Sequence, residues 1–579
     1  MNYCLGTQIC AEAPASATRL GRQPHAANSP AFSQALLSDN LPGMEPVSGH
    51  MTPSQTPADE SAAFLLPAVL AYFFLVLILL LRHEMWQDEW QAWLLATESP
   101  SLPELFRNLR YEGHPCLWHL GLFLLSRVTR HPLGMQLLHL LLAFSAVYLF
   151  LKYAPFTRLQ KLLFILGYFP FYEYAVISRN YALGVLGLFS FCAIFCRSCP
   201  RNFLLLGLIL FLLCQTSVYG LLLALALGGI LFLAALRDPA AGTWQAMAAL
   251  AIVLLGAGLS VLQLMPPADS GFAVGWKFDL DFPYLLQTLA AVWKSYVPLP
   301  ALQYHFWGTN FINDPRWQAL LSVIILACGI LLFYRQPLPL FLYVAGTAGI
   351  LAFTYSKYPG SLRHHGHLYL LFIACLWLSS ALPDPGCGQG RGGSPGEGPP
   401  GPPQGFGPCP RTTIFQTLAG CCRANCSRVL TVLLAVHLVA GVWAGSLDFC
   451  YPFSESKQVA AFIKKEELDN ALIVGHADDA SSSVAGYLGR PLYYPARRGW
   501  GSFIVWNQAR KPDLTPGELV EQARKLSRQQ QKAVLLLLNH ELPPGEFPVM
   551  PVQKFTRSLV PAENYYLYLL PASGPMAGE

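Results

Sequence analysis

Apolar runs of about 17–22 residues, parted by short basic or polar links, recur between residues 62 and 446. A run of that length crosses the hydrocarbon of a bilayer as one helix. Residue content points the same way: 53% of residues are hydrophobic and only 12% are charged, against about 25% charged in a soluble domain. The expected fold is a polytopic α-helical membrane protein with about eleven transmembrane helices. They fall near 62–82, 133–151, 161–178, 181–196, 203–219, 221–236, 244–264, 317–334, 338–355, 367–382 and 429–446. The apolar piece 115–125 is too short to cross comfortably. The formal net charge of +5 is mild and its carriers are scattered between apolar runs. That pattern argues topology and excludes a nucleic-acid partner.

Around the membrane domain, 61–447, lie segments of other character. Residues 1–60 are polar, rich in Ser, Pro and Ala, and hold no apolar run. They read as a disordered N-terminal extension without the core of a signal peptide, and Met44 or Met51 are alternative starts. Residues 83–131 form a Trp-rich first outer loop with juxtamembrane helices, and 383–428 a flexible Gly/Pro-rich loop. Lys152, Arg158 and Lys161, then Arg197 and Arg201, Arg237, Arg335, and Arg391, Arg411, Arg423 and Arg428 all fall on one side if 115–125 does not cross. That side is expected to be cytoplasmic. The tail, 448–579, is expected as a small extracytoplasmic α/β domain. Its helices are expected at 455–466 and 515–530, and its strands at 471–475, 501–506, 533–538 and 565–570. Asp478 and Asp479 follow a strand end, where ligands often bind, but a solvated turn is the favoured reading. Many of the 15 cysteines lie inside apolar runs and read as small hydrophobes, while Cys196 and Cys199 form a lone CxxC without a second pair.

Polar groups with chemical potential gather at the outer ends of the spans. Asp88 and Glu89 stand just beyond the first run; on a helix they point about 100° apart, so one can face a cavity while the other braces it. Glu112 and His114 precede the short apolar piece. Glu173 lies inside the third run, where a carboxylate costs roughly 2.5–3.5 kcal/mol on insertion scales and normally faces a cavity or a partner. Arg179 follows at the exit. Arg363, His364, His365 and His367 cluster at the start of the tenth run. Arg363 suits an anion, because its guanidinium forks onto phosphate. The three histidines leave a divalent metal open, ranked below phosphate, since neighbouring positions cannot all face one point. No cofactor is otherwise indicated. His139 and His437 read as interhelical hydrogen-bonding groups.

Taken in order, these positions resemble the GT-C superfamily of membrane glycosyltransferases. The likeness is to the branch with protein O-mannosyltransferases, the lipid A aminoarabinose transferase and the rhizobial lipopolysaccharide galacturonosyltransferases. An acidic pair after the first span is matched by Asp88-Glu89, and a His-Pro-Pro-Leu element by His114-Pro115-Cys116-Leu117. An Arg-x-Tyr-Ala-Leu element is matched by Arg179-Asn180-Tyr181-Ala182-Leu183, and a late Arg by Arg363. The likeness covers roughly residues 62–447. It departs at Cys116, where a second Pro is expected, and at Asn180-Tyr181, where some members carry an acid.

The resemblance implies an inverting glycosyltransferase that moves a sugar from a polyprenyl-phosphate donor to an extracytoplasmic acceptor, which is a glycan, lipid or protein. It further implies a multi-pass protein of a bacterial plasma membrane in preference to the endoplasmic reticulum, with the active site on the periplasmic or lumenal side. Asp88, Glu89 and Glu173 are then the candidate catalytic carboxylates, with Asp88 at the acceptor proton. Glu112, His114, Arg179, Tyr181, Arg363 and His364 are the substrate-binding candidates. Arg179, Arg363 and His114 supply positive charge for the leaving phosphate. Two rivals remain: a secondary transporter, which would place its ionisable groups nearer the midplane, and a catalytically inactive membrane scaffold.

Overall fold

The computed structural model describes residues 60–198, 201–237, 243–271, 275–381, 414–511 and 514–572. The expected N-terminal extension, apart from Glu60, and residues 383–413 of the Gly/Pro-rich loop lie outside these, as does residue 382.

The first span is α1 (Ala62–Arg82). A short extended link leads to α2 (Gln87–Glu98), α3 (Leu102–Leu109) and α4 (Leu117–Ser126), none of them long enough to cross. Then come α5 (Leu133–Tyr153), α6 (Arg158–Ile165), α7 (Tyr181–Arg197), α8 (Phe203–Cys214), α9 (Val218–Arg237) and α10 (Thr243–Leu264). They are followed by α11 (Phe282–Tyr296), α12 (Pro315–Phe333), α13 (Pro337–Ser356), α14 (Leu362–Ala381) and α15 (Ile414–Cys450). Among the described residues seven helices are long and apolar enough to cross a membrane: α1, α5, α9, α10, α12, α13 and α15.

The expected count of about eleven is therefore not reached by length. The run 161–178 is not one helix: α6 ends near Ile165 and a π-turn, Tyr168–Glu173, follows. The cause is tertiary. A Cβ on Gly441 of α15 would meet Leu166 O at 2.7 Å and Tyr168 N at 3.1 Å. Two backbones thus cross at the break as only glycine permits. Tyr72 Oη donates to Pro170 O at 2.7 Å, satisfying one carbonyl that the broken helix releases. The run 181–196 forms α7, which at 17 residues falls below the length of those seven, and the run 203–219 becomes the shorter α8 of 12 residues. α11, capped by Asp281 Oδ1 accepting from Tyr284 N, occupies part of what reads as a loop. α15 begins at Ile414, so 414–428 extends a helix where loop is expected.

Beyond α15 stands a small domain with a mixed sheet. Its elements are α16 (Ser456–Lys465), β1 (Leu472–Gly475), α17 (Asp478–Leu488), β2 (Leu492–Tyr494), β3 (Gly499–Gly501), α18 (Pro516–Gln530), β4 (Val534–Leu538), β5 (Met550–Phe555) and β6 (Tyr565–Leu570). The order is β3-β2-β1-β4-β6-β5, with β1 parallel to both β2 and β4. β4 is buried along its whole length, as its unbroken Val-Leu run requires. The strand expected at 501–506 is shorter and earlier, and 502–506 runs irregularly toward α2. Asp478 and Asp479 open α17 and are not a solvated turn; Asp478 accepts both Nε and Nη2 of Arg510 at 2.8 and 2.6 Å.

This domain docks on α2. Gly486 of α17 lies flat against Trp90, where a Cβ would meet the indole at 2.2 Å. Gln91 pairs with Ile504, giving Nε2 to its carbonyl and taking its N–H, each at 2.9 Å. Glu563 Oε1 accepts from Gln87 N at 2.6 Å.

Candidate functional site

Asp88 is the second residue of α2 and lies between two arginines from distant parts of the chain. Arg179 Nη1 meets Asp88 Oδ2 at 2.8 Å, and Arg363 Nη2 meets the same oxygen at 3.0 Å. Burial works against the charge on Asp88, but Arg179 and Arg363 outweigh it and hold the carboxyl below the usual carboxylate range. Arg363 is held from its other side by aromatic faces: its guanidinium carbon lies 5.1 Å from the Trp86 ring and 5.6 Å from that of Trp307. Arg179 stands in the turn before α7. That turn is fixed by Ser178 N donating to Glu89 Oε1 at 2.7 Å and by Asn180 Nδ2 donating to Thr216 O at 2.6 Å.

The three charges line a cavity of about 670 Å³. Glu112, His114, Tyr181 and His364 line it too, so seven of the nine expected residues meet there. Leu221, Leu222, Val261, Leu264, Met265 and Phe353, from the ends of α9, α10 and α13, add an apolar wall.

Glu112 differs from Asp88 in kind. Burial drives its carboxyl up to about 7, and the nearby Asp88 charge adds to this; the Gln91 amide bond at 2.8 Å and Arg179 only partly offset it. It is a carboxyl poised to titrate near neutral pH. His114 moves the other way. Burial, reinforced by Arg179, pushes its imidazole down to about 3. It is therefore neutral, and the positive charge expected of it for a leaving phosphate is absent; it can offer one N–H. His364 Nδ1 accepts from Ser361 N at 2.8 Å, which puts the proton of the neutral ring on Nε2.

Glu89 and Glu173 do not line the cavity. Glu89 is fully buried and braces the loop: besides Ser178 N it meets His83 Nε2 at 2.9 Å. The other nitrogen of His83, Nδ1, meets Asp448 Oδ2 at 2.8 Å, so one imidazole ties the ends of α1 and α15 to the start of α2. Burial opposes charge on His83, yet Asp448 and Glu89 outweigh it and raise the imidazole well above its ordinary value. Glu173 accepts from Tyr168 Oη at 2.8 Å and Trp307 Nε1 at 3.1 Å, so it supports the aromatic clamp on Arg363 and forms no pair with Arg179.

No family model matches this chain, and no curated protein matches it either.

The metal expectation also finds separate partners for its ligands. His365 Nε2 is engaged by Pro359 O at 2.9 Å and His367 Nδ1 by His364 O at 2.9 Å. Among the described residues no group of three or more His, Cys, Asp or Glu side chains is arranged to hold a metal ion. Several lining residues had no local signal in the sequence: Gln91, His119, Tyr219 and Lys357 carry no motif, and Ile504 and Trp506 come from the tail domain. Asp479, at the strand end where a ligand is the less favoured expectation, also lines the cavity.

Proposed function

We propose that this chain is an inverting membrane glycosyltransferase that takes a sugar from a polyprenyl-phosphate donor and passes it to an extracytoplasmic acceptor. The observation that carries this reading is the Asp88 carboxylate set between Arg179 and Arg363 in a cavity with an aliphatic wall. The two guanidiniums suit a phosphate, and the aliphatic side suits the lipid that bears it. In this reading an acceptor group attacks the anomeric carbon from the face opposite the phosphate. A new bond forms at that carbon while its bond to the phosphate oxygen breaks, and the lipid phosphate leaves with the electron pair. Arg363 and Arg179 stabilise the charge that grows on the leaving oxygen. Asp88, held as an ion of lowered basicity, keeps the arginines apart and orients the acceptor through Oδ1. Glu112, with its carboxyl near 7, takes the acceptor proton. Purified protein in proteoliposomes, supplied with polyprenyl-phosphate sugars and candidate acceptors, tests the reading directly. Failure to transfer from any such donor would overturn it.

Arg363→Lys separates a phosphate ligand from an interfacial anchor. Lysine keeps the charge but loses the planar fork. Donor affinity is expected to fall by about ten- to a hundredfold, the worth of a charge-assisted hydrogen bond. Equal donor affinity in wild type and variant, measured on folded protein in nanodiscs, would move the phosphate site toward Arg179.

The reading also requires the cavity and the tail domain on the outer side and 383–428 on the cytoplasmic side, as the Lys/Arg bias suggests. A Ser394→Cys variant is expected to react with a membrane-impermeant thiol reagent, above the wild-type background, only after the membrane is opened. Labelling from the outer side of intact cells would reverse the orientation.

A further inference from the structure

From residue 276 to the first residue of α11 the chain carries large apolar side chains at every second position, and all of them are exposed. Trp276, Phe278, Leu280 and Phe282 are 61, 82, 85 and 66% exposed. The intervening positions are charged and tied to one another: Lys277 Nζ meets Asp279 Oδ2 and Asp281 Oδ2, each at 3.1 Å. A strand-like alternation of this kind gives one apolar edge and one polar edge. The rings of Trp276 and Phe278 lie parallel, 5.9 Å apart, so these two members of the apolar edge stack on one another.

Hydrogen bonds fix the level of this segment. Lys277 N donates to Ser356 O at 2.7 Å, Asp281 N to Tyr355 Oη at 2.8 Å, and Tyr355 Oη to Asp279 O at 2.7 Å. Thr354, Tyr355 and Ser356 are the last residues of α13, one of the helices long enough to span, and Tyr284 Oη reaches Thr354 O at 3.4 Å. The apolar edge therefore sits at the depth where α13 leaves the hydrocarbon. Water there gives way to headgroups and upper acyl chain, the zone that favours Trp and Phe beside charged residues. The segment is also continuous with the cavity: Trp276, Phe353 and Lys357 line it, and Lys357 Nζ lies 5.1 Å from the Trp276 ring.

We propose that residues 276–282 form a bilayer-inserting keel whose apolar edge is covered by the lipids of the adjoining leaflet, and that the keel borders the route by which a lipid-borne phosphate reaches the cavity. The occupant is lipid because charged groups on the polar edge are already paired and the depth is that of a span end. A protein partner would have to meet the apolar edge inside the headgroup layer.

The first part of the test does not depend on catalysis. Phe278, Leu280 and, as controls, Asp279 and Trp500 are replaced one at a time by photoreactive p-benzoylphenylalanine, and each protein is irradiated in nanodiscs of alkyne-tagged phosphatidylcholine. All four positions are exposed or face solvent, and folding is checked by gel filtration. Positions 278 and 280 are expected to capture lipid as well as a position on the lipid-facing side of α10, such as Leu254, and roughly tenfold more than 279 or 500. Capture at 278 and 280 no greater than at 500, or crosslinking into the chain itself, would overturn the keel. The second part rests on the glycosyltransferase reading. Phe278→Asp combined with Leu280→Asp is expected to raise KM for a long-chain donor while leaving kcat and the use of a short, water-soluble donor unchanged. An equal KM for the long-chain donor in wild type and variant would overturn the route. Absence of all transfer by the wild type would count against the catalytic reading alone, since lipid capture is read without turnover.

Discussion

Asp88→Asn is expected, on the glycosyltransferase reading proposed above, to cut sugar transfer at least about a hundredfold, the range for losing a positioned charge or proton-handling group. The substitution keeps the shape of the side chain and removes the negative charge that Arg179 and Arg363 share through Oδ2. Two guanidiniums would then face each other without a counter-ion, and the pair would spread or bind adventitious anions. Arg363 would still be held between Trp86 and Trp307, so the fold should survive. Single-turnover transfer in proteoliposomes, with a melting curve on the same sample, measures both. Near-normal turnover in a folded Asp88→Asn protein would sink the assignment.

Glu112 should give the reaction its pH dependence. If it accepts the acceptor proton it must be ionised, so kcat should rise with pH and level off above an inflection near 7. Asp88, Arg179 and His114 also face this carboxyl. Asp88 and His114 stay in one charge state through that window, because their pKa values are shifted to the acid side. Glu112→Gln should lower kcat by about a hundredfold or more and abolish the inflection. The same group makes a second, opposite contribution to stability. Its folded value lies above its ordinary value of 4.5, so the fold gains fully from its protonation below 4.5 and loses that gain as pH rises through about 7. Glu112→Gln should therefore flatten any fall in melting temperature between those limits. An unchanged pH–rate profile in Glu112→Gln would transfer the base role to another group.

Three of the residues that were legible in the sequence share one property: each stands near the end of an apolar run. Asp88, Arg179 and Arg363 are polar groups at the ends of hydrophobic segments, and ends on one side of a bilayer are brought to one level whatever the helix packing. Adjacent helix positions diverge by about 100°, which accounts for Asp88 reaching the cavity while Glu89 turns to His83 and Ser178. What was not legible has tertiary causes. The break in the run 161–178 depends on Gly441 from far along the chain. Trp307 enters the Arg363 clamp from a stretch with no periodicity, and Gln91 acquires its meaning from Ile504. The charge state of His114 follows from burial and Arg179, neither of which is local to its motif.

The ties that fix α2 run almost the full length of the chain. Asp448 reaches His83, and Glu563 reaches Gln87, the residue before Asp88. During synthesis the N-terminal spans are inserted long before either partner has been made. Until then α2 lacks the contacts that hold Asp88 in its place between the arginines. A nascent chain would accordingly pass through the membrane machinery with its cavity unassembled, and the site would come together only as the final strands of the tail domain fold. Loss of the last segments by proteolysis or premature termination would then silence the protein at a distance of hundreds of residues from the cavity-lining positions near its start.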